Sequence, residues 1–163
     1  MALAGIGVDI VDIARMERVL ERTPRFAQRV FTEDERAYCD STGRPAAHYA
    51  CRFAAREAVV KALGCGFSQG VRFDDVSVAQ DATGRPRALL RGRAAEIAAE
   101  QGVLDVAISL SFTREMAVAN AVATTAETAP KVDEARDPRR ELAESFKEAR
   151  SVIDELERVQ DRK

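Results

Sequence analysis

The middle of the chain reads PAAHYACRFAAREAVVKALG, from Pro45 to Gly64. Proline is favoured at the first position of a helix, and glycine commonly adopts the left-handed conformation that ends one. We therefore expect the longest helix of the protein to begin at Pro45 and to end at Leu63. Residues four apart share a helical face, so this helix places Glu57 beside Lys61.

The N-terminal stretch GIGVDIV, from Gly5 to Val11, predicts a strand with one carboxylate, Asp9, in an apolar run. A buried carboxylate is unfavourable unless a positive group compensates it. Two carboxylates from different elements, Asp9 and Glu57, suit Mg²⁺, which keeps several waters and binds substrate phosphates. On the residues alone, simpler interpretations stay open. Asp9 would cap the next helix, and Glu57 with Lys61 would form a surface ion pair of about 0.3–0.5 kcal/mol.

The remaining segments alternate between helical and strand patterns, which predicts an α+β protein. Thr32 and Glu35 form a capping box that opens a short helix ending near Asp40. The other expected helices lie at 12–22, from Thr23-Pro24 onward and at 94–101. The other expected strands lie at 76–79, 87–90, 106–112 and 116–122.

The chain has 163 residues, of which 46% are hydrophobic and 32% charged, with a formal net charge of -2. That length suits one domain with a short appendage. No run approaches the ~20 consecutive apolar residues of a membrane span, and no secretory signal is recognisable. Three cysteines without a CxxC pair and a single histidine, His48, argue against a disulfide scaffold or a zinc module. We expect a cytoplasmic protein in which His48 is structural.

The C-terminal part differs in composition from the body at 1–123. Residues 124–138 (TTAETAPKVDEARDP) are polar and contain two prolines, which is typical of a linker. Residues 139–163 predict a charged amphipathic helix, because apolar residues recur there at alternating steps of four and three. Such a helix would dock on the body, on a neighbouring subunit or on its own copies, unless it is simply solvated.

Three segments of the chain resemble the holo-(acyl-carrier-protein) synthase family of 4′-phosphopantetheinyl transferases. They are GIGVDIVDIAR from Gly5, RFAAREAVVKALGCG from Arg52 and ISLS from Ile108, and the likeness covers roughly residues 3–123. The resemblance implies a 4′-phosphopantetheinyl transferase fold. In it a small antiparallel sheet packs on a long central helix and the chains form trimers, here with a C-terminal helical extension.

The resemblance also implies an activity. Such enzymes move the 4′-phosphopantetheine group of coenzyme A to a serine of an apo-acyl carrier protein in fatty acid biosynthesis, and release adenosine 3′,5′-bisphosphate. Asp9 and Glu57 would hold Mg²⁺, and Lys61 would bind a phosphate oxygen or accept the serine proton. Two alternatives stay open, an oligomeric adaptor with an inactive body and a Mg²⁺-dependent nucleotide phosphohydrolase.

Further residues match the positions that contact coenzyme A in the family. Arg85 lies in a Gly-Arg-Pro turn expected near the adenine and the 3′-phosphate. Arg52 would contact the 3′-phosphate or pair with a core acid. The glycines after the long helix would let the backbone approach the nucleotide, or would simply end the helix. The full set is Arg52, Lys61, Gly64, Gly66, Gly84, Arg85 and Pro86.

A basic ridge is the expected surface for the carrier protein. Arginines recur at steps of three and four from Arg15 to Arg29, with only two glutamates among them. By resemblance, Arg15, Arg22 and Arg25 would bind an acidic helix of the carrier protein, whereas no nucleic-acid partner is expected. Each site of the trimer would combine Asp9 and the ridge of one chain with the Glu57 helix of its neighbour.

Two positions depart from the family pattern. Phe112 follows Ser109-Leu-Ser111 where many relatives have histidine, and Arg56 stands where lysine is commoner. The arginine keeps the charge, but the phenylalanine removes an imidazole that would contact coenzyme A.

Overall fold

The structure of the protein is a computed structural model that describes residues 5–128. Its elements in chain order are β1 (Gly5–Asp12), α1 (Ile13–Arg22), α2 (Pro24–Val30), α3 (Glu33–Asp40), α4 (Pro45–Ala62), a 3₁₀ turn (Phe73–Asp75), β2 (Val76–Gln80), β3 (Pro86–Leu90), α5 (Gly92–Glu100), β4 (Val103–Phe112) and β5 (Met116–Thr125). This is the α+β architecture that the sequence predicts.

The strands form two antiparallel sheets. One has the order β1-β5-β4, so the first strand pairs with the last, and Asp9 stands opposite Ala119. The other is the β2–β3 hairpin, which closes through a turn where the Gly84 amide donates to the Asp81 carbonyl at 2.9 Å. Gly84 has a φ of +81°, a conformation that favours glycine.

Helix α4 is the centre of the fold and packs on β1, β5, α1 and α3. Most of its residues are buried, and the majority of these are alanine or valine. The helix begins at Pro45 as predicted, and its last turn closes at Leu63 before Gly64, whose φ is +67°. Small side chains along a helix let neighbouring backbones approach closely, and β1 uses this space.

Two glycines bring β1 against the backbone of α4. A Cβ added at Gly7 would lie 1.8 Å from the Ala58 carbonyl oxygen, and one at Gly5 would lie 2.0 Å from the Ala62 carbonyl oxygen. The strand therefore runs opposite to the helix. Asp9, the next residue on the same face of β1, lies beside the preceding turn of α4.

The other face of β1 is exposed and apolar. Ile6 is 70% exposed, Val8 45% and Ile10 57%, and Val122 on the paired strand β5 is 36% exposed. We call these four residues the outer sheet patch. Several large apolar side chains exposed together on one face of a sheet are typical of a surface that contacts another molecule.

The structure extends some of the predicted elements. β4 begins at Val103 rather than 106, because its ladder with β5 continues past a bulge between Val103 and Asp105. For the same reason β5 reaches Thr125, two residues into the stretch predicted as a linker. The rest of that linker and the helix predicted at 139–163 lie outside the described residues.

Candidate active site

Lys61 provides the positive group that Asp9 requires. Its Nζ donates to Asp9 Oδ1 at 2.8 Å and to the Val8 carbonyl oxygen at 3.0 Å. The Asp9 side chain is 19% exposed and that of Lys61 49%. The role of helix cap belongs to Asp12 instead, whose Oδ1 accepts from the Arg15 amide at 2.6 Å. Asp9 is thus free of any capping role and points to the space beside α4.

Glu57 lies close enough to Asp9 for their charges to interact. The pKa of Glu57 is raised, first by burial and then by the Asp9 carboxylate, while Lys61 opposes the shift. Within residues 5–128, Lys61 makes its ion pair with Asp9 and makes none with Glu57. The i,i+4 surface pair considered from the spacing is therefore not the arrangement found, and Glu57 keeps its oxygens available.

The two carboxylates line one groove of about 320 Å³. Arg15 of α1 also lines it, and its apolar wall is formed by Met16, Val19, Phe26 and Phe53. A half-apolar groove with convergent charged groups and a perturbed carboxylate is typical of an active site.

Asp9, Arg15 and Glu57 reach this groove from one chain, so the expectation that Glu57 comes from a neighbouring subunit is wrong. The reason is the contact of Gly5 and Gly7 with α4, which holds β1 along the helix of its own chain. The motif GIGVD sets the distance between strand and helix as well as supplying the carboxylate.

The donor set at this groove suits one kind of metal site. Among the described residues there is no group of three histidine, cysteine, aspartate or glutamate side chains that would enclose an ion. Two carboxylates open to a groove are the donors Mg²⁺ uses when waters and substrate phosphates complete its shell. Asp9 and Glu57 therefore fit Mg²⁺ bound together with a phosphorylated substrate.

Arg52 lies in a separate cleft and does not pair with a core acid. Its side chain is nearly buried, its Nε has no hydrogen-bond partner and its guanidinium carbon lies 4.2 Å from the centre of the Tyr38 ring. No carboxylate lies within 4.0 Å of it in the part of the chain that the structure describes. The cleft, of about 160 Å³, also contains Pro86 of the Gly-Arg-Pro turn.

The predicted nucleotide turn is well formed. The Asp81 carboxylate accepts from the Thr83 hydroxyl at 2.6 Å and from the amides of Arg85 and Thr83 at 3.0 and 2.8 Å, and these bonds lower its pKa. Arg85 and Pro86 line an open groove of about 400 Å³ shared with Ser109 of β4. Since Pro86 borders the Arg52 cleft as well, the turn and Arg52 lie next to each other.

Gly64 and Gly66 follow α4 with φ values of +67° and +57°. A Cβ at Gly64 would meet nothing within 4 Å, so the conformation of the backbone, rather than close packing, requires glycine there. The Cys65 and Gly66 amides both donate to the Val60 carbonyl and end the helix. Neither glycine lines the Asp9–Glu57 groove or the Arg52 cleft.

The arginines of the basic ridge are all exposed, on α1 and α2 and on both sides of Pro24. None of them forms an ion pair within 4.0 Å inside the described range. An exposed cationic surface without internal partners is available to an anionic partner. The ridge is formed by Arg15, Arg18, Arg22, Arg25 and Arg29.

Sequence reasoning missed the buried ion pair of Arg56 with Glu35. Both side chains are essentially inaccessible, Arg56 Nη1 donates to Glu35 Oε1 at 2.9 Å, and the Val78 amide donates to the same oxygen at 2.9 Å. Burial alone would raise the pKa of Glu35, but the Arg56 bond and charge, with the Thr32 and Val78 amides, hold it below 4.5. The sequence pattern around Glu35 is that of a capping box. That pattern explains Glu35 as part of a helix start and does not indicate a buried partner for Arg56.

Residues 5–126 match the 4′-phosphopantetheinyl transferase superfamily. The holo-(acyl-carrier-protein) synthase of Alkaliphilus metalliredigens is 45% identical over 123 residues, which cover 75% of this chain and 99% of that protein. The chain belongs to the holo-(acyl-carrier-protein) synthases. It is therefore a phosphopantetheinyl transferase by family.

Solved structures of this synthase family share the fold. That of the Neisseria meningitidis synthase has a TM-score of 0.67 at 35% identity and covers 74% of this chain and 98% of its own. The Helicobacter pylori synthase in complex with coenzyme A has a TM-score of 0.65 at 28% identity, with 73% and 99% covered. In none of the helices described here does length combine with enough apolar character to cross a membrane.

Proposed function

We propose that the enzyme transfers the 4′-phosphopantetheine group of coenzyme A to a serine of an apo-acyl carrier protein and releases adenosine 3′,5′-bisphosphate. The observation that carries this proposal is the groove lined by Asp9 and Glu57 of one chain, with Lys61 paired to Asp9 at 2.8 Å. The family contains a synthase whose structure holds coenzyme A, which supports that substrate.

The serine oxygen attacks the phosphorus next to the pantetheine, and a new P–O bond forms. The P–O bond to the bisphosphate breaks with its electron pair on the leaving oxygen, and the serine proton passes to water. Catalysis of this step is mainly positioning and neutralisation of charge. Asp9 and Glu57 would hold Mg²⁺, which offsets negative charge on the diphosphate. Lys61 would bind a phosphate oxygen, since an ammonium group beside two phosphates stays protonated and is no base.

The nucleotide end of coenzyme A fits the second cleft. Arg52 and Arg85 would bind the 3′-phosphate, because guanidinium groups pair with phosphate oxygens in two-point hydrogen bonds. Gly84 and Pro86 shape the turn beside it. Gly64 and Gly66 follow Lys61 closely in sequence, and they would let the protein backbone at the end of α4 approach the nucleotide.

The basic ridge would bind the carrier protein. Arg15 lines the reaction groove itself, and Arg22 and Arg25 continue the ridge across the break at Pro24. An acidic helix beside the acceptor serine would therefore bring that serine to the groove.

We also propose that the enzyme is a homotrimer in which the outer sheet patch is buried between copies. The Asp9–Glu57 groove and the Arg52 cleft share no lining residue within one chain. A trimer would bring the groove of one chain to the cleft of another and so complete the site. The cytoplasmic location expected from the sequence stays a prediction.

Intact-mass spectrometry of an apo-acyl carrier protein incubated with the enzyme, coenzyme A and Mg²⁺ tests the function. We expect a gain of one phosphopantetheine group that needs Mg²⁺ and is lost in Asp9→Asn. Breakdown of coenzyme A without modification of the carrier protein would favour the phosphohydrolase. Neither reaction with any carrier protein, from a folded chain, would favour the adaptor.

A further inference from the structure

The Arg52 cleft contains the only histidine of the chain, and the proposed function leaves it without a role. His48 lies one turn before Arg52 on α4. Its ring meets those of Tyr38 and Phe112 edge to face, with centroids 5.5 and 5.3 Å apart. The side chain is only half-buried, so one edge of the imidazole remains available to a ligand.

The groups around this cleft are cationic or neutral. Arg52 lines it, and the guanidinium carbon of Arg44 lies 5.3 Å from the centre of the Phe112 ring. No carboxylate lines the cleft among residues 5–128. Arg52 is only 4% exposed; its Nη1 donates to the His48 carbonyl oxygen at 3.4 Å, but its Nε lacks an acceptor. A buried charged donor without an acceptor is unfavourable, which points to an anionic ligand that is bound in the working enzyme.

We propose that His48 binds the 3′-phosphate of the substrate together with Arg52, and so serves as a specificity residue for that phosphate. This inference rests on the proposed function, because it takes coenzyme A as the substrate. The contact of His48 with Phe112 explains how the chain keeps an imidazole in this cleft although residue 112 is phenylalanine.

The electrostatics of the cleft agree with this role. The pKa of His48 is lowered, first by burial and then by Arg52 and Arg44. The charged and titratable groups that face His48 are Arg44 just before α4, Cys51 and Arg52 within α4, and Tyr38 of α3. Phe112 of β4 also faces it, and Gln80 and Pro86 of the hairpin are neutral. A bound phosphate dianion would reverse the repulsion from the arginines and favour the imidazolium form.

Three proteins test the inference: the natural enzyme, His48→Phe and the exchange variant His48→Phe with Phe112→His. Phenylalanine keeps the ring packing of position 48, and the exchange returns an imidazole to the cleft. The measurement is transfer to the carrier protein from coenzyme A and from 3′-dephospho-coenzyme A, with thermal unfolding as a check on folding.

We expect His48→Phe to raise the KM for coenzyme A about tenfold, as for loss of one charge-assisted hydrogen bond. The KM for 3′-dephospho-coenzyme A should stay within about twofold, since it lacks the phosphate. The exchange variant should recover most of the preference for coenzyme A over 3′-dephospho-coenzyme A. Equal KM changes for both substrates in folded His48→Phe, or no change for either, would overturn the inference.

Calorimetry with adenosine 3′,5′-bisphosphate gives a readout without turnover. As the pH falls from 8 to 6, its affinity for the natural enzyme should rise more than its affinity for His48→Phe. The second ionisation of the phosphate near pH 6 affects both proteins equally. Parallel pH profiles would contradict a role for His48. Failure of the proposed function would look different, because the natural enzyme would then transfer nothing from coenzyme A.

Discussion

At the scale of single residues, the candidate site brings together three charged side chains, of which only two form an ion pair. Asp9 is paired with Lys61 at 2.8 Å, and Glu57 is left beside Asp9 with a raised pKa. A carboxylate held next to another carboxylate destabilises the folded chain unless a cation joins them. The arrangement therefore favours binding of a cation over stability of the free enzyme.

Glu57→Gln is expected to abolish transfer and to stabilise the protein. Transfer should fall roughly a hundredfold or more, because the charge that would hold the cation is gone. At neutral pH the free energy of unfolding should rise, by up to about 1 kcal/mol, since an amide is not repelled by Asp9. Transfer rate and thermal unfolding of the metal-free protein measure the two effects.

The pH dependence of this stability gain follows from the raised pKa of Glu57. The folded enzyme binds a proton at Glu57 more readily than the unfolded chain does. The loss of folding stability caused by the ionised Glu57 side chain therefore declines as the pH falls through the folded-state pKa. The difference in free energy of unfolding between Glu57→Gln and the natural enzyme should have its full value above that pKa and should vanish below about pH 4.5. Glu127→Gln, at an exposed position after β5 and without an ion pair among the described residues, is the control and should change neither property. A constant gap at all pH values would contradict the assignment.

At the scale of elements, the geometry of the candidate active site depends on how closely β1 packs on α4. Gly5 and Gly7 leave no Cβ between the strand and the helix, and this contact sets where the Asp9 carboxylate lies relative to Glu57 and Lys61. The second determinant is the Arg56–Glu35 pair, which ties α4 to α3 and, through the Val78 amide, to β2.

Gly7→Ala should destabilise the fold by about 1–3 kcal/mol, as for overpacking of a tight core. The new Cβ would lie 1.8 Å from the Ala58 carbonyl oxygen, so β1 must move away and take Asp9 with it. Transfer should therefore fall in the fraction that remains folded. Gly43→Ala is the matched control, because a Cβ there meets nothing within 4 Å. Urea unfolding and transfer assays compare the two, and equal behaviour would refute the contact.

Glu35→Gln should lower the free energy of unfolding by about 3–5 kcal/mol, since it leaves Arg56 buried without its countercharge. The pKa of Glu35 is depressed in the folded chain, so its stabilisation is present above 4.5 and is lost as the pH falls through the folded-state value. Chemical denaturation at several pH values measures this. Glu33→Gln, exposed in the first turn of α3, should cost under about 1 kcal/mol. Similar losses in both variants would count against the pair.

Local signals predicted the elements better than the distances between them. Pro45, the Thr32–Glu35 capping box and Gly64 gave helix ends that the structure confirms, because each acts on its own few residues. The extra length of β4 and β5 was missed, since it depends on pairing across a bulge between remote segments. The partner of Arg56 and the same-chain origin of the groove were missed for the same reason.

At the scale of the whole molecule, two features concern the surface of the described residues 5–128. The outer sheet patch is apolar and exposed there, and the groove and the cleft share no lining residue. Both observations are accounted for by assembly of copies, which would cover the patch and combine the two halves of the site.

Ile6→Glu should convert the proposed trimer into monomers, because it places a charge in the patch where the side chain is 70% exposed. Light scattering gives the mass, and transfer activity should fall with it. Leu89→Glu, an exposed position of the β2–β3 sheet, should leave the mass unchanged. A monomeric natural enzyme would contradict the assembly.

Mixing two inactive variants tests whether a site combines two chains. Glu57→Gln keeps an intact Arg52 cleft, and Arg52→Ala keeps an intact groove. Randomly mixed trimers should recover about one quarter of the natural activity if groove and cleft come from different subunits. No recovery, with exchange of subunits verified by mass, would place both halves in one chain.

Small and large residues alternate at the start of β1, and the large apolar ones face outward instead of toward the core. Its inward positions hold glycine so that the helix can come close, and the bulky aliphatic groups are consequently turned to the exterior. The motif GIGVD, from Gly5 to Asp9, thus determines both how closely β1 packs on α4 at the candidate site and how apolar the outer face of the single chain is. A redesign toward a more hydrophilic single subunit could replace the outward residues Ile6, Val8 and Ile10, with loss of the proposed trimer, but it would have to keep the inward glycines.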